Sequence, residues 1–326
     1  MKAKNVLIWG GSGQIGRHLI RKLTKNHYRV TVVTRNIHQK GLLIKSQGNQ
    51  GWINIVEANI FDEKKIRSLF QEADICINLI GILYEKKRGN TFKNIHTIFP
   101  TILAKLCKKY NLKRFIHISA LGINAASDSK YAISKLEGEN NILDNFPKAT
   151  ILRPSVVFSN SDNFSTQFMT LLNRLPIFPL YYSGNTKFMP IHCSDLTDII
   201  YYVLSNKIET KVIECVGPEV LTFKEILQIL LSLIDKNRFL VSFPLPIAKL
   251  SANFFQLFPK PLLTVDQLRL LKYDNIPSGK YKTNSEIGIP SKLFFKNEVK
   301  KYSFMWREGG EFSTEKYNIK SLNEEN

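Results

Sequence analysis

Short runs of β-branched residues alternate with helix-like segments through the first half of this chain. The strand-like runs are NVLIWG, RVTVVTR, INIVEAN, ICINLIG, RFIHISA and ATILRPSVVF, and helical patterns begin near Ile15, Glu63, Thr97 and Tyr131. Successive strands separated by helices pair in parallel through right-handed crossovers, which place helices on both faces of the sheet. The alternation therefore predicts an α/β fold with a doubly wound parallel sheet.

The alternation stops after Phe158, where proline and polar residues become frequent. We expect residues 1–160 to form the main domain and residues 161–310 a smaller mixed lobe on its C-terminal side. DLTDIIYYVL and KVIECVG have the pattern of one more helix and strand, so residues 194–218 are expected to return to the sheet. Residues 311–326 have few apolar side chains and no periodicity, which predicts a disordered tail.

Composition limits the classes of partner. The chain has 326 residues, of which 44% are apolar, and its formal net charge is +19. This charge predicts attraction to polyanions, anionic lipid headgroups or acidic proteins, and solvated lysines in a lysine-rich composition explain it equally well. The lysines are spread along the chain without an arginine-rich cluster or interleaved aromatic residues. We therefore expect no nucleic-acid partner.

The cysteines and the N-terminus bear on metal binding and location. Cys76, Cys107, Cys193 and Cys215 stand singly, without a C-x-x-C pair or clustered histidines, which predicts reduced thiols and no metal. The N-terminus enters a strand-like segment after MKAK, and the longest apolar stretches are too short to span a bilayer. We expect no signal peptide, transit peptide or transmembrane segment, and a cytoplasmic location, either free or peripheral on the inner face of the membrane.

The motif GGSGQIG lies between the first predicted strand and the first predicted helix, and three of its glycines are spaced three residues apart. Glycines allow a tight turn and a close approach to a pyrophosphate, whose charge is favoured by the amides and dipole of the helix N-terminus. The alternative is an ordinary tight turn. In this context the motif predicts a Rossmann-type NAD(P) site in residues 1–160. The residues expected beside the phosphates are Gly10, Gly13, Gln14, Ile15, Gly16 and Arg17.

The end of the second predicted strand bears on the choice of cofactor. A carboxylate there would accept the ribose hydroxyls of NAD, whereas an arginine can pair with the additional phosphate of NADP. The sequence has Thr34 and Arg35 at this point, which favours NADPH over NADH; the alternative is that Arg35 is one more exposed cation. Further residues expected beside the cofactor, at the ends of the third and fourth strands, are Asn59, Ile60, Asn78 and Gly81.

A serine, a tyrosine and a lysine follow at positions that suit hydride-transfer chemistry. Ser119 ends the fifth predicted strand, and Tyr131 and Lys135 lie one turn apart on the same side of the next helix. The tyrosine can exchange the proton that accompanies hydride transfer, the lysine can lower the tyrosine pKa and bind the cofactor ribose, and the serine can orient a substrate oxygen. The Y-x-x-x-K spacing also occurs by chance on amphipathic helices, so its position after a glycine turn is what favours an active site.

These residues and motifs together resemble the extended or atypical short-chain dehydrogenase/reductase superfamily over nearly the whole chain. FIHISALG, SKYAISKLEGE, ILRPSVVF, DNFSTQF, FMPIHCSDLTD and LLKYDNI are similar, in that order, to bacterial relatives of the nucleotide-binding accessory subunit of respiratory complex I. The bacterial relatives are often described as NAD-dependent epimerase/dehydratase-like proteins. The resemblance implies bound NADPH, with Pro154 among its contacts, and a structural or assembly role at the peripheral arm near the membrane.

Two positions depart from the family pattern. Extended members commonly carry an asparagine in the helix before the serine strand, where this chain has His96, and a glycine after the sixth strand, where it has Ser159. The first departure affects the proton relay and the second the loop beside the nicotinamide. His96 is expected to be an ordinary packed or solvent-facing helix residue, with a catalytic role as the alternative. Asp195 is expected to cap a helix, with a role as a base as the alternative.

Two apolar segments remain open to interpretation. Residues 243–263 carry apolar side chains at helical spacing between prolines, which predicts either a helix packed on its own core or a surface for an anionic membrane or a larger complex. Residues 160–190 are apolar and aromatic, which suits a quinone-like or lipid-like substrate or a protein contact.

The leading hypothesis is an NADP(H)-binding protein of the complex I accessory type. The alternative is a soluble NADPH-dependent reductase or epimerase acting on a quinone-like, carbonyl or nucleotide-sugar substrate.

Overall fold

A parallel sheet of eight strands organises the residues that the structure describes. The structure is a computed structural model and describes residues 3–86, 89–206, 208–244, 246, 261 and 263–311. The described residues form the strands β1 (Asn5–Trp9), β2 (Arg29–Thr34), β3 (Ile53–Glu57), β4 (Ile75–Asn78), β5 (Arg114–Ile118), β6 (Thr150–Pro154), β7 (Val157–Phe158), β8 (Ile177–Leu180), β9 (Lys187–Phe188), β10 (Ile191–His192), β11 (Val212–Cys215), β12 (Leu221–Thr222), β13 (Phe239–Ser242) and β14 (Lys282–Thr283), of which eight build this sheet and the others pair two by two. The sheet order is β14-β11-β6-β5-β4-β1-β2-β3. This order confirms the predicted α/β fold with a doubly wound parallel sheet.

Some of the α-helices cover both faces of this sheet, and others build the C-terminal lobe. These helices are α1 (Gln14–Lys25), α2 (Ile37–Lys45), α3 (Glu63–Phe70), α4 (Phe99–Lys109), α5 (Lys130–Asn145), α6 (Ser165–Arg174), α7 (Cys193–Ser205), α8 (Phe223–Leu233), α9 (Val265–Leu270) and α10 (Phe295–Ser303). A π-helical turn, Lys93–Ile98, leads into α4. Helix α2 was not predicted from the sequence. The residue that signals its start is Asn36, whose Oδ1 caps the helix by accepting from the Gln39 amide at 3.0 Å.

The strands are apolar on both faces, as expected for a parallel sheet covered on two sides. In β1, Val6 and Ile8 pack into the apolar layer that α1 and α7 complete, while Leu7 and Trp9 pack into the opposite layer with α3 and α4. Successive strand residues point to opposite faces, so one short strand supplies both layers. Because the strands are parallel, all of them start at one edge of the sheet, the amino edge, and end at the other, the carboxyl edge. The predicted site residues lie at or after the carboxyl edge.

The C-terminal lobe has its own apolar core, built around α6, α8 and α10. Phe158, Met169, Leu172, Phe178 and Phe188 are buried in it. Four of these side chains belong to residues 160–190, and the interpretation of that stretch as a substrate or protein-contact surface is wrong for them, because each is more than nine-tenths buried. Much of the apolar and aromatic character of this stretch serves to hold the lobe together.

Asp195 does not cap a helix, so that prediction is wrong. Helix α7 is capped by His192, whose Nδ1 accepts from the Ser194 amide at 3.2 Å. Asp195 Oδ2 instead accepts from the amides of Lys292 and Leu293, both at 3.0 Å. The carboxylate therefore fixes the segment before α10. Most of residues 243–263, and the predicted tail beyond residue 311, lie outside the described residues.

A buried ion pair attaches α5 to the sheet. Arg153 of β6 donates to Glu139 of α5 through Nε at 3.0 Å and through a terminal nitrogen at 2.5 Å, and both side chains are at most 3% exposed. The Tyr281 ring lies 4.5 Å from the guanidinium carbon. A buried charge that loses its partner keeps its desolvation penalty, so each member of this pair requires the other.

Replacing Glu139 by Gln should therefore destabilise the protein by about 3 kcal/mol, because Arg153 would be left with an uncompensated buried charge. The control is Glu63→Gln, which removes the exposed pair that Glu63 forms with Arg67 at 3.0 Å and should change stability by less than about 1 kcal/mol. Urea unfolding followed by circular dichroism measures both. Equal losses in the two variants would show that burial of the Arg153 pair has no special role.

Candidate functional site

The glycine motif forms a tight turn between β1 and α1. Gly10 has a φ of +81°, and its carbonyl accepts from the Gly13 amide at 3.0 Å. A Cβ on Gly16 would lie 2.4 Å from the Gly11 Cα, and a Cβ on Gly11 would lie 2.4 Å from a Val32 methyl group. The first turn of α1 therefore packs directly against the glycine turn, and the glycine turn against β2, because these positions have no side chain. The amides at the start of α1 have no intrahelical acceptors and face the carboxyl edge of the sheet.

Two polar side chains of α1 reach the segment that follows β7. Gln14 Nε2 donates to Ser159 Oγ at 3.0 Å, and a terminal nitrogen of Arg17 donates to Ser161 Oγ at 2.8 Å. Ser159, where the family pattern has glycine, is thus the acceptor that holds the start of α1 against this segment. Ile15 is half-buried against the sheet layer that includes α7.

The residues predicted for the adenosine end lie at the tips of β2 and β3. Thr34 is buried, whereas Arg35 is exposed and donates at 3.5 Å to Asn90 Oδ1. Asn59 Oδ1 accepts from the Phe61 amide at 3.1 Å, which closes a turn, and Ile60 is buried. Arg35 is therefore available at the surface, while the Asn59 amide side chain already stabilises its own loop.

Asn78 and His117 form a buried polar pair at the carboxyl ends of β4 and β5. Asn78 Oδ1 accepts from the Ile80 amide at 3.1 Å, so its Nδ2 must face His117 Nδ1, which lies 3.1 Å away. His117 Nδ1 is then the acceptor, and its proton is on Nε2, which has no partner among the described residues. Burial, followed by the charge of Lys135, lowers the pKa of His117 well below its usual value.

Ser119, Lys135 and Gly81 meet at the same edge. Lys135 Nζ donates at 3.1 Å to the carbonyl of Ile118, the residue before Ser119. A Cβ on Gly81 would lie 3.4 Å from this nitrogen. Ser119 Oγ is buried and has no hydrogen-bond partner among the described residues. Pro154 lies on the neighbouring strand, where its carbonyl accepts from the Leu121 amide at 2.9 Å.

Tyr131 lies in the first turn of α5, half-buried, with its ring edge-on to the His96 ring at a centroid distance of 5.2 Å. Burial raises the pKa of Tyr131 to about 12 and lowers the pKa of Lys135 to about 8. The expectation that Lys135 lowers the tyrosine pKa is wrong for the chain itself, because desolvation of the phenolate dominates. At neutral pH the site therefore holds a neutral phenol and a largely protonated lysine.

His96 is fully buried and belongs to the same group of side chains. Its Nε2 accepts from the Ile82 amide at 3.1 Å, so in the neutral imidazole Nδ1 carries the proton and donates to Ser134 Oγ at 2.9 Å. The Ser134 hydroxyl in turn donates to the Tyr131 carbonyl at 2.8 Å. Burial and the Lys135 charge lower the pKa of His96 to about 2. The expectation of a packed residue is thus confirmed, and the packing fixes the turn that carries Tyr131.

The sequence analysis missed the contribution of Asp266 from the lobe. Its carboxylate accepts from Ser129 Oγ at 2.8 Å, from the Lys130 amide at 2.8 Å and from the Tyr131 amide at 3.0 Å. This carboxylate therefore accepts hydrogen bonds from one hydroxyl and two backbone amides at the N-terminus of α5. The sequence signal was the T-x-x-Q capping box at the start of α9, formed by Thr264 and Gln267, which places an acidic residue in a helical first turn.

Neither a metal centre nor a membrane span is found among the described residues. No group of three or more His, Cys, Asp or Glu side chains there is arranged to hold a metal ion, and the four cysteines are buried and free. No helix in the described ranges is both long and apolar enough to cross a bilayer.

Several proteins of known role are similar to this chain. Subunit 9 of the NADH dehydrogenase (ubiquinone) 1 alpha subcomplex, mitochondrial, from Arabidopsis thaliana is 28% identical over 93% of this chain and 78% of its own length. The mitochondrial NADH-ubiquinone oxidoreductase 40 kDa subunit of Neurospora crassa is 25% identical over 86% of this chain and 74% of its own. A ceramide reductase of Caulobacter vibrioides is 25% identical over 58% of this chain and 57% of its own.

Solved structures share the fold. UDP-glucuronic acid 4-epimerase from Bacillus cereus, in complex with UDP-glucuronic acid and NAD, superposes with a TM-score of 0.69 at 19% identity, over 92% of this chain and 99% of its own. dTDP-glucose 4,6-dehydratase from Bacillus anthracis, in complex with NAD, gives 0.69 at 15% identity, over 93% and 96%.

A family model matches residues 6–215, which is more than half of the chain and includes the glycine turn, Ser119, Tyr131 and Lys135. This match and the subunit relatives confirm the resemblance that the sequence motifs indicated. The chain belongs to the NAD dependent epimerase/dehydratase family.

Proposed function

We propose that this chain is an NADPH-binding accessory or assembly protein of a respiratory NADH dehydrogenase, located in the cytoplasm or peripherally on the inner face of the membrane. The observation that carries the proposal is the extent of the match to the Arabidopsis and Neurospora subunits, which covers 93% and 86% of this chain. Such a match includes the lobe as well as the sheet. Members of one fold differ in function mainly through the sites and surfaces added to it, so likeness in the lobe supports a shared role.

The glycine turn fits a dinucleotide. Gly10, Gly11 and Gly16 leave room for a close approach of the backbone, and the amides at the start of α1 can donate to a pyrophosphate. Ser119 Oγ, buried without a partner, is free to donate to or accept from a bound molecule at the same edge. Bound NADPH would supply a hydride there. Gln14, Arg17, Asn78, Gly81 and Pro154 would line the remaining length of the site.

The preference for NADPH rests on the end of β2. Arg35 is exposed directly after this strand, and no carboxylate follows the strand in sequence. Glu57, at the end of the adjacent β3, accepts from the Ile37 amide at 2.8 Å and is thereby occupied as a second cap of α2. An arginine in this position can form charge-assisted hydrogen bonds with the 2′-phosphate.

Arg35→Ala should weaken NADPH binding about tenfold to a hundredfold and leave NADH binding unchanged, because charge-assisted hydrogen bonds contribute about 1.5–3 kcal/mol. The matched control is Arg29→Ala, which removes an exposed arginine from the opposite end of the same strand. Nucleotide fluorescence titration measures the dissociation constants for NADPH and NADH. Equal affinity of the wild-type protein for NADPH and NADH would contradict the proposed preference.

Lys135 should make NADPH affinity depend on pH. Its pKa of about 8 means that it is charged at pH 7 and loses its charge as the pH rises through 8. NADPH affinity should therefore fall above pH 8, by at most about tenfold per pH unit. Tyr131, with a pKa of about 12, and His96, with a pKa of about 2, do not titrate in this range. Lys135→Arg should remove the fall, since arginine stays charged, and a flat wild-type profile from pH 7 to 9.5 would exclude the lysine from the site.

The proposed role separates cofactor binding from turnover. Native mass spectrometry of the purified protein should show retained NADPH, and Tyr131→Phe should keep it, because the ring that packs against Phe92 and His96 is unchanged in this variant. A chromosomally tagged chain should migrate with NADH:quinone oxidoreductase subunits on a native gel. Peptide mass spectrometry of the band identifies these subunits. Migration of the tagged chain only at its own mass, with NADPH bound, would contradict the accessory role and leave cofactor binding intact.

A second candidate function is a soluble NADPH-dependent reductase or epimerase acting on a quinone-like, carbonyl or nucleotide-sugar substrate. The raised pKa of Tyr131 favours reduction within this class, because a neutral phenol can donate a proton to a carbonyl oxygen. The similarity to a ceramide reductase points the same way. The buried aromatic side chains of the lobe give no support to a quinone-like substrate, since they are packed in its core. NADPH oxidation by a carbonyl compound that disappears in Tyr131→Phe would establish this alternative.

A further inference from the structure

A cleft lies at the amino edge of the sheet, away from the glycine turn. It has a volume of about 720 Å³ and reaches from Lys4, which precedes β1, to Lys211, which precedes β11. The glycine turn follows the other end of β1, and five strand residues at about 3.3 Å each separate the two edges by roughly 16 Å. A molecule in this cleft would therefore not occupy the dinucleotide site.

The cleft is lined by cations that precede or begin neighbouring strands. These residues are Lys4, Lys113, Arg114, Lys148 and Lys211. Because β1, β5, β6 and β11 are parallel, their starts lie at one edge, and β5, β6 and β11 are direct neighbours spaced about 4.8 Å apart. The Ile151 amide donates to the Lys211 carbonyl at 2.7 Å, which fixes one of these starts against the next.

Few of these charges are compensated within the described residues. Lys113 lies 3.5 Å from Asp74, whose other oxygen accepts from the Asn5 amide, and Arg114 donates to the Asn206 carbonyl at 2.6 Å. Lys4, Lys148 and Lys211 form no ion pair with a described carboxylate. Glu209 is the acidic residue of the lining. The field in the cleft is positive, and a bound anion would relieve the repulsion between neighbouring cations.

Part of the lining of the cleft is apolar. Its apolar lining residues are Ile75, Pro147, Ala149, Leu204 and Ile208. A lining that holds both cations and apolar residues suits a molecule that combines phosphate groups with a carbon-rich part. A cavity of about 720 Å³ is also within the range of about 300–1,000 Å³ that is common for small-molecule sites.

We propose that this amino-edge cleft is a second binding site, for a phosphate ester of about nucleotide size. The phosphates would contact Lys148 and Lys211, with Arg114 held in place by the Asn206 carbonyl, and the carbon-rich part would contact the apolar lining residues. The phosphate ester can come from a soluble nucleotide or from an anionic lipid headgroup. The site is independent of the dinucleotide turn and of the proposed function.

The test is isothermal titration calorimetry of the full chain in the presence of saturating NADPH, with pyrophosphate, ADP and dihexanoyl phosphatidylglycerol as probes. Wild-type protein should bind at least one of them, with affinity falling as salt is raised. Lys148→Glu/Lys211→Glu should weaken that binding at least tenfold. Tighter binding of ADP would assign the site to a soluble nucleotide, and tighter binding of the lipid would assign it to a headgroup.

The control is Lys296→Glu/Lys300→Glu, which makes the same change of net charge on exposed positions of α10. It should alter probe binding less than twofold. Absence of binding to wild-type protein, or equal losses in the two double variants, would overturn the proposal. NADPH affinity should be unchanged in both, which verifies folding, and Lys148→Gln/Lys211→Gln replaces the charge-reversed variant if that variant does not fold. Should NADPH not bind at all, the titrations without it still compare the two double variants, so the cleft is tested separately from the proposed function.

Discussion

The close packing of α5 is the constraint on which the candidate site depends. A Cβ on Gly138 would lie 1.9 Å from the His96 carbonyl oxygen, so α5 and the π-helical turn touch backbone to backbone. The next residue, Glu139, forms an ion pair with Arg153 of the sheet, and one turn before Gly138 the Lys135 side chain donates to the Ile118 carbonyl. These contacts leave α5 little freedom to rotate or slide. The position of Tyr131 in its first turn follows from them.

The same packing sets the electrostatics of the site. Lys135 is buried next to two histidines that its own charge and their burial keep neutral, and Glu139 raises its pKa against the larger effect of desolvation. The result is one positive charge held among neutral polar groups. Such a charge interacts more strongly with a bound anion than an exposed lysine would, because water screens it less. The burial that disfavours the ionised tyrosine thus also strengthens the attraction of Lys135 for a phosphate.

The sequence predicted the parts of the site that depend on local pattern. The glycine turn, the strand that ends at Ser119 and the helical spacing of Tyr131 and Lys135 all express short-range periodicity, and the structure has them on the expected elements. Contacts made across long stretches of chain could not be predicted in this way. The clearest case is Asp266, whose hydrogen bonds to the start of α5 cross about 135 residues.

Other differences have the same cause. Asp195 has the sequence position of a helix cap, yet a histidine one turn earlier caps α7 and leaves the carboxylate for amides 97 and 98 residues away. Strand β14 is only two residues long and adds to the sheet beside β11, which no periodicity could indicate. The aromatic stretch after β7 was interpreted as a substrate or protein-contact surface, whereas much of it is core, because composition alone does not distinguish the two.

The hydrogen bonds of Asp266 couple the arrangement of the lobe energetically to binding at the start of α5. Any rearrangement of the lobe that withdraws this carboxylate leaves the donors at the start of α5 without an acceptor and loosens the turn that carries Tyr131. By linkage, a molecule that binds and orders the α5 end must also favour the lobe arrangement that keeps Asp266 in place, by the same free energy. A partner that contacts the lobe would then bind differently to the nucleotide-bound and nucleotide-free protein, without any change in the sheet.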